Sequence, residues 1–324
     1  MDNRYINYRS RCAKAVHVSP KTLLLGKNSS QLIEVMRFFK LTADQALLYL
    51  LDLGHMSYTY VKPAVLSKID PQQFGTVPKF STTHALIGMI HSWAKSTDGN
   101  GSTMRVVLFD FQKAFDLIDH HVLARKLSCY DIPGSISCQI TDFLTDRKQR
   151  IKLSRDCFSE REAVPAGVPQ GTKLGPWLFL LMINDLSAAD TTLWKYVDHT
   201  TLVEAVSRNE TSYMQSRVDE LVRQSEADSF QLNEFKCKEL RISFSRSGSP
   251  VDHITINDKQ VEVVSSAKLL GVVVSDNLRW NAHVESICKK AATRLYLRKQ
   301  LKRAKVPPND MLLFYITYIP PVLE

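Results

Sequence analysis

Apolar residues recur at helical spacing between residues 30 and 52, at Leu32, Ile33, Val35, Met36, Phe39, Leu47, Leu48 and Leu51, which predicts a helix there. Pro63, Pro71 and Pro78 then punctuate a looser stretch. A second helix is predicted over 81–93, capped by Ser81 or Thr82. A Gly/Asn/Ser/Thr-rich loop over 96–103 leads into the apolar run 105–111, fit for a buried strand. Residues 121–130 read as a helix, 149–153 as a strand and 174–186 as an apolar, buried helix. Residues 193–206 alternate as two strands around a tight turn. Further strands are predicted over 239–244, over 253–256 with a hairpin partner at 261–264, and over 269–274. A helix from Val284 to about Arg303 stops before Pro307 and Pro308. The sum is an α/β (α+β) chain whose sheet is neither doubly wound nor all antiparallel. No internal repeat is visible.

Charge and cysteine usage narrow the class. Lys and Arg outnumber Asp and Glu by 42 to 33, so the net charge of +9 favours a polyanionic partner. The excess is local: eight Lys or Arg and no acid lie between 289 and 305, so the rest of the chain sums to +1. The six cysteines form no C-x-x-C pair, which points to free thiols in a reducing, intracellular setting; nuclear and cytoplasmic sites are not separated. The start lacks a signal sequence, and the apolar run 174–183 is far short of the ~20 residues a membrane span needs.

Candidate chemistry sits at strand ends. Asp110 ends the apolar run, with Asp116 and Asp119 close behind, and Asp198 lies in the turn between two apolar strands. Two carboxylates carried on adjacent tips would hold Mg²⁺ through oxygen ligands and leave positions open for phosphate and water. Ordinary turn chemistry is the plain alternative for an Asp at such a place. A third segment, Ala166-Gly-Val-Pro-Gln-Gly171 through Gly175, runs straight into the apolar helix. Its glycines permit close backbone approach to a ligand, and it is not a P-loop.

Taken in order, these segments resemble the reverse transcriptase domain of non-LTR (LINE-type, jockey-like) retrotransposons. The residues that carry the resemblance are Gln73-Phe-Gly75, Phe109-Asp-Phe-Gln-Lys-Ala-Phe-Asp116, Gly167-Val-Pro-Gln-Gly171, Ile183-Asn-Asp-Leu186, Tyr196-Val-Asp198, Leu232-Asn-Glu-Phe-Lys-Cys237 and Leu269-Leu-Gly-Val272. The resemblance implies a right-hand polymerase. An unassigned segment, partly helical, would span 1–60, fingers and palm 61–283, and the start of a thumb 284–324. It implies DNA synthesis on an RNA template from a DNA primer and deoxynucleoside triphosphates, with two Mg²⁺ or Mn²⁺ ions; protein partners stay open. Asp110, Asp198 and the backbone of Phe111 match metal-binding positions. Phe111 and Phe115 would line the nucleotide, with Phe115 crowding the sugar 2′ position, and Gln170 and Gly171 would pack on nucleotide and template. Lys236 would protonate the pyrophosphate, with Lys238 as its rival. Leu270 and Gly271 match the primer grip. Lys290, Arg294 and Arg298, four apart on one flank of the last helix, suit a phosphate backbone, with Val284, Ile287, Cys288, Ala291 and Leu295 on the other side. Trp280 is expected to pack at the palm–thumb junction.

The sequence also departs from the family. His199 stands where the hairpin's second Asp is usual, and an imidazole is a poor ligand for a hard ion. Residues 64–71 look like two family segments joined across a deletion, and the final residues resemble the middle of the family's thumb, as in a truncated piece. The alternatives are therefore a catalytically impaired relic that at most binds nucleic acid, and a chain with no stable fold. His120-His121 reads as a surface or capping feature rather than a metal site.

Overall fold

In chain order the elements of the computed structural model are α1 (Lys62–Ser67), α2 (Thr82–Thr97), β1 (Thr103–Phe109), α3 (His120–Leu127), α4 (Gly134–Leu144), β2 (Lys148–Gln149), β3 (Glu162–Ala163), α5 (Gly175–Ile183), β4 (Thr192–Tyr196), β5 (His199–Val206), α6 (Met214–Ala227), β6 (Lys238–Ser243), β7 (Thr255–Ile256), β8 (Lys259–Gln260), β9 (Glu262–Val264), β10 (Ser266–Leu269), β11 (Val272–Ser275), α7 (Asn281–Arg303) and α8 (Pro308–Tyr318). The structure describes residues 54–99, 101–153, 157–188, 191–208, 210–245 and 252–323. The helix predicted over 30–52 lies outside them. The chain divides into two units, one of residues up to Ile69 with Phe115–Asp185, the other of Asp70–Ala114 with Leu186–Glu324.

The second unit is built on a five-stranded sheet in the order β4-β5-β1-β6-β9. Its centre is β1, antiparallel to β5 and β6. Every residue of β1 except the half-buried Leu108 is buried, because both faces of the strand are covered. On one face Met104 and Val106 pack with Trp194, Val203, Leu240 and Ile242 against Ala85, Leu86, Met89 and Trp93 of α2. Gly88 lets α2 come close, since a Cβ there would lie 2.9 Å from the Trp194 ring. The Ser81 side chain accepts from the His84 N–H, the cap expected from sequence. On the opposite face, Arg105 aligns with Glu204 of β5 and Arg241 of β6.

The first unit is helical around α5. From Trp177 to Ile183 every side chain of α5 is buried, as the apolar run predicts. Lys126 of α3 donates to the Met182 carbonyl and to Asp185, which ties α3 to the end of α5. A short β2–β3 hairpin completes this unit.

Several expectations are corrected. The segment 253–264 is not one hairpin. Its β7–β8 half turns at Asn257 and Asp258, both at positive φ as a tight type I′ turn requires, while β9 leaves to pair parallel with β6. That parallel edge makes the sheet mixed. Residues 269–274 are likewise not one strand: they are the β10–β11 hairpin, turning at Leu270 (φ 47°) and Gly271 (φ 96°). The strand expected over 149–153 is confined to Lys148–Gln149. Helices α4 and α6 are additional to the elements predicted above, and each buries residues at helical spacing: Ile136, Ile140, Phe143 and Leu144 in α4, Met214, Val218 and Leu221 in α6. On α7 only Ala291 of the expected apolar side is buried, and Trp280 is 49% exposed at the start of that helix instead of packed in a junction. No described helix is long and apolar enough to cross a membrane.

Candidate active site

Both predicted metal-binding carboxylates belong to the second unit. The last residue pair of the β1–β5 ladder is Phe109–Thr200, and Asp110 and His199 are the next residues on the two strands. The β4–β5 hairpin closes on Tyr196 and His199, so Val197 and Asp198 form its two-residue tip. The topology therefore brings the end of β1 to the tip that carries Asp198. Each carboxylate side chain is 39% exposed, open to solvent yet carried on a paired strand end.

Lys236 sits at the same place, with Nζ 3.4 Å from Oδ1 of Asp110. The loop that holds it is tied to the strand tip: the Asn233 N–H donates to the Asp110 carbonyl and the Gln112 N–H to the Gln231 carbonyl, both at 2.8 Å. In an antiparallel pair successive residues face alternate sides, so the Phe111 carbonyl is directed to the edge on which β5 lies. The Phe111 ring is buried and packs on Phe230. Lys238, the rival of Lys236, is paired with Glu262 at 2.8 Å. Of the two lysines, Lys236 is the one at Asp110.

His199 Nδ1 donates to Oδ1 of Asp198 at 3.1 Å. That hydrogen bond holds the Asp198 carboxyl below the usual carboxylate range, against the opposing effect of burial. The same bond raises the His199 imidazole above its ordinary value, helped by the charges of Asp198 and Asp110. One oxygen of Asp198 is thus engaged by its neighbour.

The glycine-rich loop and Phe115 belong to the first unit. Val168 N–H donates to the Phe115 carbonyl and Gly167 N–H to the Ile118 carbonyl, so the loop is laced to the turn after the strand tip. Gly167 has φ +88°, and a Cβ there would lie 2.5 Å from the Asp116 carbonyl oxygen; only glycine fits. Gln170 is exposed and donates from Nε2 to Asp116 at 3.1 Å. Gly171 is also exposed, at φ +81°. Phe115 is half-buried and stacks on Phe179 of α5 with ring centres 4.5 Å apart. Asp119 caps α3 by accepting from the His121 and Val122 N–H groups, and His120 meets the Gly167 carbonyl at 2.8 Å. The capping role thus falls to Asp119 and not to the His pair.

Leu270, half-buried against the core, and the exposed Gly271 form the turn of the β10–β11 hairpin of the second unit. On α7, Lys290 is exposed, whereas Arg294 donates to the Tyr318 carbonyl and Arg298 lies 5.7 Å from the centre of the Tyr315 ring, both on α8. A strap over Asp70–Gly75, whose residue pattern predicts no element, is bound to the outer edge of β4. Phe74 N–H donates to the Lys195 carbonyl and Lys195 N–H to the Gln72 carbonyl. The signal was present in Gln73-Phe-Gly75, but a strand edge is not readable from three residues.

These residues fit a hard divalent ion in donor type: two carboxylates and a backbone carbonyl supply oxygen only. Among the described residues no group of three or more His, Cys, Asp or Glu converges. Such a set suits Mg²⁺, which is commonly held by one or two carboxylates with substrate phosphates completing the shell.

The sequence matches the reverse transcriptase (RNA-dependent DNA polymerase) family over residues 54–274, more than half of the chain. Residues 280–319 also match the N-terminal region of alkylated DNA repair protein alkB homolog 8. Among curated relatives, the chain is 24% identical over 197 residues to the RNA-directed DNA polymerase from mobile element jockey of Drosophila melanogaster, covering 57% of this chain and 21% of that protein. It is 25% identical over 223 residues to the probable RNA-directed DNA polymerase from transposon X-element of the same fly, covering 66% and 24%. The chain thus spans about a quarter or less of the curated relatives it matches. Among solved structures it is similar to apo telomerase from Candida tropicalis, truncated from its C-terminal domain, at TM-score 0.46 and 12% identity over 70% of this chain and 46% of that one. Family membership implies dependence on a divalent metal in general. On the match over 54–274 the chain belongs to the reverse transcriptase family, as a domain of the kind found in non-LTR retrotransposons.

Proposed function

We propose that this chain carries out RNA-directed DNA synthesis, adding deoxynucleotides to the 3′ end of a DNA primer on an RNA template. The single observation that carries this reading is Asp110 and the Asp198 hairpin on neighbouring strand ends, with Lys236 beside Asp110. Asp110, Asp198 and the Phe111 carbonyl would hold two Mg²⁺ or Mn²⁺ ions. Bound there, the ions would lower the pKa of the primer 3′-hydroxyl and neutralise the leaving pyrophosphate. Lys236 is assigned the proton given to that pyrophosphate. Phe115 is assigned discrimination at the sugar 2′ position, and the exposed Gln170 and Gly171 contact with nucleotide and template. The Leu270–Gly271 turn is assigned the primer. The test is primer extension on an RNA template with Mg²⁺ and with Mn²⁺. Asp110→Ala is expected to lower extension at least about a hundredfold, and equal rates from both proteins would remove the assignment.

A second reading, a nucleic-acid binder with reduced catalysis, is favoured by His199 together with the basic tract of α7. Affinity for a primer–template duplex is then expected to fall steeply with salt. The three cations are not equivalent. Lys290→Ala is expected to flatten the slope of log affinity against log salt by about 0.9, one phosphate contact. Arg294→Ala and Arg298→Ala should change it less, because both side chains are engaged on α8. Binding insensitive to salt would exclude this surface.

A further inference from the structure

We propose that Gln73 is a positioning residue for the Asp198 turn, acting by holding Val197 in a backbone conformation that a β-branched residue does not adopt unaided. The inference deepens the reading above and rests on it for the role of Asp198.

The turn is strained. Val197 has φ +57°, whereas Asp198 does not have positive φ. With a two-residue loop, those signs match a type II′ turn, whose first position favours glycine. A β-branched residue there is a steric outlier and persists only where its surroundings enforce it.

The enforcing group is the Gln73 side chain. The Gln73 side chain is 2% exposed, and its Oε1 accepts from the Val197 N–H at 3.3 Å and from the Gly75 N–H at 2.8 Å. The other end of the amide, Nε2, is buried with no hydrogen-bond partner among the described residues. A buried donor without a partner is costly, so the side chain contributes through its oxygen. Around it the strap is fixed on four sides. Gln73 bridges to Lys195 in parallel register. Asp70 pairs with the fully buried Lys195 ammonium at 2.6 Å. Phe74 stacks on Trp194 with ring centres 5.5 Å apart. Gly75 fits so closely that a Cβ would lie 2.4 Å from the Val197 nitrogen. The strap therefore has little freedom to move off the turn, and Gln73 reaches the one N–H whose residue carries the strain.

Two readouts test this in the intact chain. Hydrogen exchange needs no metal. Gln73→Met keeps the side-chain length and removes the acceptor, and should speed exchange in the peptide that contains Val197 by about tenfold or more, leaving α5 unchanged. Mn²⁺ binding followed by electron paramagnetic resonance reports the site itself. Asp198→Asn should weaken it strongly and Gln73→Met by about tenfold. The decisive variant is Gln73→Met combined with Val197→Gly, because glycine adopts positive φ without a clamp. It should bind Mn²⁺ within about threefold of the unsubstituted chain. Should Gln73→Met fail to fold, recovery of folding by Val197→Gly supports the proposal and lack of recovery overturns it. Unchanged exchange and unchanged Mn²⁺ binding in Gln73→Met also overturn it. If the unsubstituted chain and Asp198→Asn bind Mn²⁺ alike, the metal reading of the site fails, and exchange at Val197 still decides the role of Gln73.

Discussion

Replacing His199 by Asp is expected to raise primer extension ten- to a hundredfold, which is about 1.4–2.8 kcal/mol of transition-state stabilisation. The expectation follows from two features of the turn. His199 occupies Oδ1 of Asp198 with a hydrogen bond, so one of the oxygens available to a metal is already engaged. Whatever its protonation state, the imidazole also withholds a negative charge from a site whose work is to concentrate divalent cations. A carboxylate at 199 releases the Asp198 oxygen and adds that charge beside Asp110, the next residue of the facing strand. The measurement is the initial rate of single-nucleotide incorporation at several Mg²⁺ concentrations. The gain should be largest at low Mg²⁺, since it acts through ion affinity. A variant no faster than the original would mean that His199 is tolerated and that activity is set elsewhere.

The largest effect on stability is expected from Arg105→Ala. Arg105 is a 2%-exposed guanidinium on the central strand. Its Nε donates to Glu239 at 2.7 Å, Nη1 to Ser212 at 2.8 Å and Nη2 to the Asp252 carbonyl at 2.8 Å. Ser212 in turn donates to Glu204, as does Arg217 at 2.9 Å, and Arg241 reaches the second oxygen of Glu239. The network crosses β5, β1 and β6 and reaches the start of α6. Removing Arg105 leaves Glu239, 0% exposed, with Arg241 as its remaining side-chain donor among the described residues. Breaking a buried pair from one side costs about 3–5 kcal/mol, most of it the isolated charge. A fall of that size should appear as a lower urea midpoint with an unchanged m-value. Arg105→Met with Glu239→Leu should cost less, because no buried carboxylate is left short of a partner and Arg241, 22% exposed, keeps the Asp252 carbonyl. If Arg105→Ala shifts stability by less than about 1 kcal/mol, the network is not a keystone of the sheet.

Arg105 also marks where the sequence misled. It lies inside the run 105–111, which reads as an apolar, buried strand, and among the described residues its charge is satisfied by partners more than a hundred positions away. Local pattern carries no trace of such partners. The central strand, the apolar helix α5 and the Asp198 turn were legible because each is specified by a short contiguous pattern. The β10–β11 hairpin reads as one strand in the sequence because its turn, Leu270-Gly271, places an apolar side chain at positive φ. The pairing of β9 with β6 was hidden for another reason: a three-residue parallel edge is decided by tertiary contact, not by its own composition. Among candidate site residues, Asp110, Asp198 and Lys236 come from three separate segments, and the fold assembles them in one unit. Gln73 shows the opposite limit. Its residue type was visible, but its use depends on the strain at Val197, which no sequence pattern displays.

The most direct measurement is incorporation of one deoxynucleotide on an RNA template by His199→Asp protein beside the Asp110→Ala, His199→Asp double variant. Placing both in the repaired background separates the site's chemistry from the loss at position 199. Metal-dependent extension by the first and only background from the second is the predicted result. Equal extension by the two, or none by either in Mg²⁺ and in Mn²⁺, would contradict a polymerase site built on Asp110 and Asp198.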